Sequence, residues 1–333
     1  MDRQTMDPTG GEPKAPRLLD QVRTAIQVRH YSRRTERAYV GWIRRYVLFH
    51  GKTHPAGMGA AEIETFLNHL AVRDKLSAST QNQALCAIVF LYRHVLHMEF
   101  EWLEGLVRAK RPRHLPVVLT HGEAKAVLRQ MDGPTFLMAS LLYGSGLRLL
   151  ECCRLRTKDI DFAGKEITVR DGKGRKDRVT PLPASLVEPL KRHLERAKEL
   201  HDRDLESGAG HVELPYGIAR KYPRAAREWS WQWVFPATRF YVDRETNQRR
   251  RHHLHETVLQ RAVHDAVLRS GSAKRATCHT FRHSFATTLL AKGYDIRTIQ
   301  ELLGHSDLET TMIYTHVLNQ GGRGVKSPLD DDD

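Results

Sequence analysis

Apolar residues recur every three or four positions in four stretches near the start of this chain. Leu18, Val22 and Ile26 make the first stripe, and Tyr39, Trp42, Ile43 and Val47 the second. A third begins near Gly59 and carries Ile63, Phe66, Leu67 and Leu70. The fourth runs through Ala84, Leu85, Ile88, Leu91 and Val95, preceded by Ser77, Ser79 and Thr80 as candidate N-caps. This spacing puts apolar side chains on one face of a helix, so residues 17–107 are expected to form about four helices around a core. A basic segment with two prolines follows, from Arg108 through Arg111, Pro112, Arg113 and Pro116 to Leu119, and reads as an extended linker over residues 108–119.

The pattern changes beyond the linker. Residues 167–179 read as two strands around the glycine-rich turn Gly172-Lys173-Gly174. Trp229, Trp231 and Trp233 alternate as residues on one face of a strand would. Phe281, Phe285 and Leu289 repeat every four residues on a predicted helix that Thr277 or Thr280 can cap. Residues 296–303 form a short amphipathic segment ended by Gly304 at a position suited to a left-handed cap. Tyr314 lies on a further helix-like stretch.

Composition narrows the class. The 333 residues suffice for two domains, and 53 Lys and Arg against 39 Asp and Glu give a formal charge of +14, which favours a polyanionic partner. No apolar run is long enough for a membrane helix, and residues 1–16, polar and without the apolar core of a signal peptide, are expected to be a flexible N-terminus. Four cysteines, two of them adjacent, make neither a disulfide framework nor a zinc pattern. A reducing, cytoplasmic location is expected. The sequence has neither a Walker-type phosphate loop nor the compact carboxylate cluster of a metal-dependent nuclease, so no metal and no cofactor are expected.

The chemistry concentrates in a few polar residues. His279 and Arg282, three apart, face one way on their helix; His305 follows Gly304, Tyr314 comes nine residues later, and Arg148 lies far upstream in Gly144-Ser145-Gly146-Leu147-Arg148. Taken singly, each has a bland reading: Arg148 as an ion-pair partner of Glu151, Tyr314 as a core tyrosine, Gly172-Lys173-Gly174 as a hairpin turn. Together they suit attack by a phenol oxygen on a phosphodiester. Two guanidinium forks and an imidazole can hold the charge that gathers on the non-bridging oxygens, and Tyr314 can form a covalent enzyme–phosphate bond.

In this order and spacing the residues resemble the tyrosine recombinases of the phage-integrase superfamily, from residue 17 to residue 326. The resemblance implies a mainly α fold with a small antiparallel β-sheet (α+β): a helical, SAM-like core-binding domain and a catalytic domain over residues 120–320, forming a C-shaped clamp on DNA. It implies Arg148, Lys173, His279, Arg282, His305 and Tyr314 as catalytic residues, with Lys176 the runner-up for the lysine and Glu151 as a supporting acid. It also implies a 3′-phosphotyrosyl intermediate and a homotetramer on two DNA sites. One departure is Cys152-Cys153 after Glu151, where the family usually continues with an apolar residue; small buried cysteines can fill that packing role.

A narrower resemblance, to integron integrases, rests on an insertion at about residues 210–236, on Arg249-Arg250-Arg251-His252-His253, and on the tail, of which residues 321–333 follow the catalytic domain. It implies integration and excision of gene cassettes at sites that include folded single strands. Trp231, His252 and His253 are then candidates for a pocket around an unstacked base, braced by residues 214–225. A Xer-type or phage-type recombinase acting on duplex sites is the alternative, and a DNA-binding regulator with a dead site is a third reading. Arg111 and Arg113 are candidate backbone contacts. Their double alanine variant should flatten a plot of log affinity against log salt by about one unit per arginine, because each phosphate contact releases condensed counterions. An unchanged slope would place the linker away from the DNA backbone.

Overall fold

The computed structural model describes residues 17–98, 116–170, 177–215, 217–244 and 246–318. The chain divides into two compact units, residues 1–113 and 114–333. The fold is mainly α with small antiparallel sheets, as expected.

The first unit holds α1 (Leu18–Val28), α2 (Arg33–Phe49), α3 (Ala60–Asn68) and α4 (Ala78–His94). Side chains set where these helices start. Ser32 and Ser77 accept from the backbone N–H groups of Thr35 and Thr80, and Glu62 Oε2 takes the Gly59 N–H at 2.6 Å. The apolar stripes meet in the core: Val22, Ile26, Ile43, Ile63, Phe66, Leu70, Ile88 and Leu91 are fully buried. Each such side chain is worth roughly 1.5–3 kcal/mol of transfer free energy. Two buried tyrosines satisfy their hydroxyls on each other and on Pro55: Tyr46 Oη and Tyr92 Oη are 3.0 Å apart, and Tyr92 donates to the Pro55 carbonyl at 3.1 Å.

The second unit begins with α5 (His121–Leu128), α6 (Gly133–Gly144) and α7 (Leu149–Cys153). A three-stranded antiparallel sheet follows, in the order β1 (Ile160–Asp161), β2 (Glu166–Val169), β3 (Arg178–Pro181), with Val169 opposite Arg178. This is the expected hairpin; its turn, with Lys173 and Lys176, lies outside the described residues, as do Arg111 and Arg113. Then come α8 (Val187–Glu206), the short α9 (Ile218–Lys221) and a second hairpin, β4 (Pro236–Val242) and β5 (Arg249–His253). The domain closes with α10 (Glu256–Arg269), α11 (Cys278–Ala291), α12 (Ile296–Leu303) and α13 (Leu308–Leu318).

Thr277 is the N-cap residue of α11, its N–H taken by Thr280 Oγ1 at 3.0 Å, and Gly304 ends α12 in the left-handed conformation (φ +61°), as read from the sequence. Cys152 and Cys153 are buried in the main core with Phe281. The tryptophans differ from expectation. Trp229–Trp231 is a single 3-10 turn rather than a strand, closed by bonds from the Trp231 and Gln232 amides to the Glu228 and Trp229 carbonyls. Only Trp233 has strand-like pairing, an isolated bridge to Arg156. Alternation fails here because the backbone groups are satisfied within the turn. Among the described residues no helix is long and apolar enough to cross a membrane.

One buried ion pair ties the second hairpin to α8. Arg251 on β5 donates to both oxygens of Asp204, at 2.6 and 2.8 Å, and to the Ala237 carbonyl at 2.6 Å, with its guanidinium 4.2 Å from the Phe240 ring centroid. Both charged side chains are 7% exposed. Asp204→Asn should therefore lower the unfolding free energy by about 3–5 kcal/mol, because it strands a buried cation. Urea denaturation followed by tryptophan emission, reported by Trp229, Trp231 and Trp233 nearby, measures it; a loss below about 1 kcal/mol, the size of an exposed pair, would contradict this account.

Candidate active site

Gly146, at φ +64°, carries the chain out of α6 towards α7, and a Cβ there would come within 2.4 Å of the Phe285 ring. Glycine is required on both counts. Arg148 follows at the N-cap of α7. Glu151, one turn on, accepts from the Arg148 backbone N–H at 2.8 Å and from its guanidinium at 2.7 Å. Arg178, the first residue of β3, places its fork on both oxygens of the same carboxylate, at 2.6 and 3.0 Å. Arg282, 1% exposed on α11, donates to the Gly146 carbonyl at 2.5 Å and lies 3.7 Å from Glu151.

The three arginines also take three successive carbonyls at the end of α12. Arg178 donates to Leu302 (2.8 Å), Arg282 to Leu303, and Arg148 to Gly304 (3.0 Å). These carbonyls form the negative end of the helix dipole, so the cations fix α12 and set the position of His305 just beyond it. Burial alone would raise the Glu151 carboxyl, but the bonds and charge of Arg178, with those of Arg148, outweigh it and hold it at about 2. Its folded value is below the ordinary one. The stability it contributes is therefore present above the ordinary carboxylate range and is lost as pH falls towards about 2. Burial, then the charge of Arg148, draws Arg282 down to about 9, which leaves it charged at neutral pH. Three guanidiniums around one carboxylate leave excess positive charge, and that suits an entering anion.

The rings complete the site. Tyr314 is 3% exposed, in a small cluster with Phe285, Ile299 and Leu303. His305 stacks on it with centroids 6.3 Å apart and planes 16° apart, and His305 Nδ1 is 2.9 Å from Thr311 Oγ1. The hydroxyl of Tyr314 is 2.9 Å from Nδ1 of His283, whose ring meets that of His279 edge-on at 4.5 Å. Burial lowers both imidazoles, with added repulsion from Arg282 and Arg148 on His279, and from His279 and Arg282 on His283, which falls to about 4. Burial raises the Tyr314 phenol, and the charges of Arg282 and Arg148 pull it partly back.

Arg148, His279, Arg282, His305 and Tyr314 thus converge. Two members were not singled out from the sequence. Arg178 carried a legible signal as the first residue of the return strand, and so did His283, four residues after His279 and hence on the same helix face.

A cleft of about 950 Å³ runs from Arg148 and Glu151 to Trp231, Trp233, His252 and His253. Leu214, Pro215 and Ile218 also line it. Arg156 spans its floor: it donates to the Trp231 and Glu213 carbonyls at 2.5 and 2.8 Å and lies 3.9 Å from the Trp233 ring centroid. Lys158 places its ammonium 2.9 Å from the centroid of Trp231. His252 is half-buried, whereas His253 is 4% exposed, with Nδ1 2.9 Å from the Leu254 carbonyl and its ring edge-on to Trp233. His253 thus backs the cleft and presents no open ring face.

The sequence matches the phage integrase family over residues 118–320 and its N-terminal SAM-like domain over residues 18–102. An integrase/recombinase of Escherichia coli is 49% identical over 317 residues, covering 95% of this chain and 94% of its own. Tyrosine recombinase XerA of Thermococcus onnurineus is 33% identical over 308 residues, covering 90% of each. In fold the chain is similar to a lambda integrase dimer bound to a core site (TM-score 0.61, 17% identity, covering 94% of this chain and 98% of that one). It is also similar to XerH bound to its difH substrate after cleavage (TM-score 0.59, 20% identity, covering 91% and 82%). With its arginines, imidazoles and tyrosine in one site, the chain belongs to the phage integrase family, the tyrosine recombinases that carry out site-specific DNA recombination.

Proposed function

We propose that Tyr314 attacks a DNA phosphodiester to give a 3′-phosphotyrosyl link and a free 5′-hydroxyl, and that religation to a partner strand completes recombination. The observation that carries this reading is the convergence of Tyr314 with the arginine cluster: its ring stacks on His305, directly after the carbonyls that Arg282 and Arg148 hold, and its hydroxyl is 2.9 Å from His283, the residue after Arg282. Arg148, Arg282 and His305 then stabilise the charged transition state. His279, beside Arg282, orients the phosphate. Arg178, its fork fully engaged by Glu151 and Leu302, positions the other two arginines and His305. Lys173, or failing it Lys176, protonates the leaving oxygen. By likeness to the family, four protomers assemble on two DNA sites.

Within the family we assign the chain to the integron type, acting on gene-cassette sites that include folded single strands. The observation in favour is the aromatic, cation-lined cleft that opens beside the arginines and is edged by the inserted residues. An unstacked base needs a flat face and polar groups around it. Trp231 and His252 supply faces, Trp233 and His253 support them from behind, and an incoming base displaces Lys158 from the Trp231 ring.

Tyr314→Phe should leave DNA binding intact and abolish covalent adduct on a suicide substrate resolved by denaturing gel. Arg148→Lys and Arg282→Lys keep the charge but lose the fork, and should slow adduct formation about a hundredfold to a thousandfold. Adduct in the Tyr314→Phe variant would mean that another residue attacks.

For the integron assignment, Trp231→Ala should weaken binding of a folded, bulged cassette strand by about tenfold to a hundredfold, given roughly 1–3 kcal/mol of stacking per base. A fully paired duplex of the same sequence should be bound almost as before. Equal losses on both substrates would return the assignment to a duplex-reading recombinase.

A further inference from the structure

We propose that His283 is a catalytic residue of the strand-cleavage step: its Nδ1 holds the Tyr314 hydroxyl and accepts the phenol proton as that oxygen attacks phosphorus. The inference rests on Tyr314 as nucleophile. It follows from a direct contact, the 2.9 Å bond between His283 Nδ1 and Tyr314 Oη, and from the enclosure of that bond: Tyr314 is 3% exposed, so solvent is poorly placed to take the proton. His279 would be the simpler choice from sequence, since it opens the motif. Yet its ring packs edge-on against His283, and it is His283 that touches the hydroxyl.

The protonation states suit this role. The charged and titratable groups that bear on His283 are His279 and Arg282 on its own helix and Tyr314 on α13, with burial the largest influence. All but the phenol disfavour an imidazolium in the free protein. His283 is therefore neutral across the neutral range and able to accept. DNA changes this balance at the moment of need, because the phosphate enters beside Arg282 and its negative charge offsets the repulsion that the guanidinium exerts on an imidazolium.

The step balances without a further reactant. The Tyr314 O–H bond breaks and its proton passes to His283 Nδ1; the phenol oxygen forms a bond to phosphorus; the P–O5′ bond breaks, and the departing oxygen takes its proton from the separate acid assigned to the hairpin lysine. Religation runs these transfers in reverse, and the His283 imidazolium returns the proton to Tyr314.

The test is single-turnover cleavage of a suicide DNA substrate across the pH range, with wild type, Tyr314→Phe, His283→Asn and His283→Ala. Asparagine can place its amide oxygen near the Nδ1 position, so it accepts a hydrogen bond but cannot take a proton. Wild type should cleave at a rate that is level through neutral pH. His283→Asn should lose about a hundredfold to ten-thousandfold at neutral pH and regain about tenfold per pH unit towards the phenol range, as preformed phenolate takes over. Added imidazole should partly restore His283→Ala. A His283→Asn rate equal to or above wild type, or a defect of constant size at every pH, overturns the proposal and makes His283 a packing or restraining group. Should the variants fail to bind DNA, the wild-type profile decides: a rate climbing tenfold per pH unit through neutrality shows phenolate attack without a base. Loss of the parent reading has a separate signature, adduct formation by Tyr314→Phe.

Discussion

A single carboxylate organises the catalytic domain. Glu151 accepts from Arg148 twice and from Arg178 twice, with Arg282 just beyond hydrogen-bonding distance. Three guanidiniums could not otherwise be held this close in a largely buried setting, since each would repel the others and each has lost part of its hydration. The cluster in turn captures the last carbonyls of α12, which link α7, β3, α11 and α12 into one unit. The site is thus preformed by electrostatics that also contribute to stability, and it keeps an excess of positive charge.

The proposed nucleophile is kept differently. Tyr314 sits among apolar residues and under the His305 ring, and burial raises its phenol. A buried phenol is a poor nucleophile unless something accepts its proton and cations stabilise the phenolate as it forms. Both are at hand, His283 on one side and the Arg282–Arg148 pair on the other.

Buried bonds brace the cleft. The Asp204–Arg251 pair holds β5 against α8, and that anchors His252 and His253 beside the tryptophans. Arg156 ties the Trp231 turn and Glu213 to the start of the first sheet. On the proposed reading, a cleft built on these buried bonds needs little ordering when a base enters, which favours binding energy over entropy loss.

The sequence by itself determined the local elements and the order of the chemistry. Stripes at helical spacing foretold α1 to α4 and α11, Ser77, Thr277 and Gly304 marked helix ends, and the glycine-rich turn Gly172-Lys173-Gly174 marked the hairpin, because each depends on residues a few positions apart. Arg148, His279, Arg282, His305 and Tyr314 were legible for another reason: their chemistry is unusual in combination. Only the tertiary structure decided which groups touch. Arg148 and Gly304 are 156 residues apart, Arg178 and Leu302 124, and His283 and Tyr314 31, and no periodicity encodes such pairings. Burial was equally out of reach, so His253 read as an open ring although packing against Trp233 encloses it. The Trp229–Trp231 turn shows the same limit. Alternation of large side chains describes a strand only where a partner strand is present to pair with it, and that is decided by the rest of the fold.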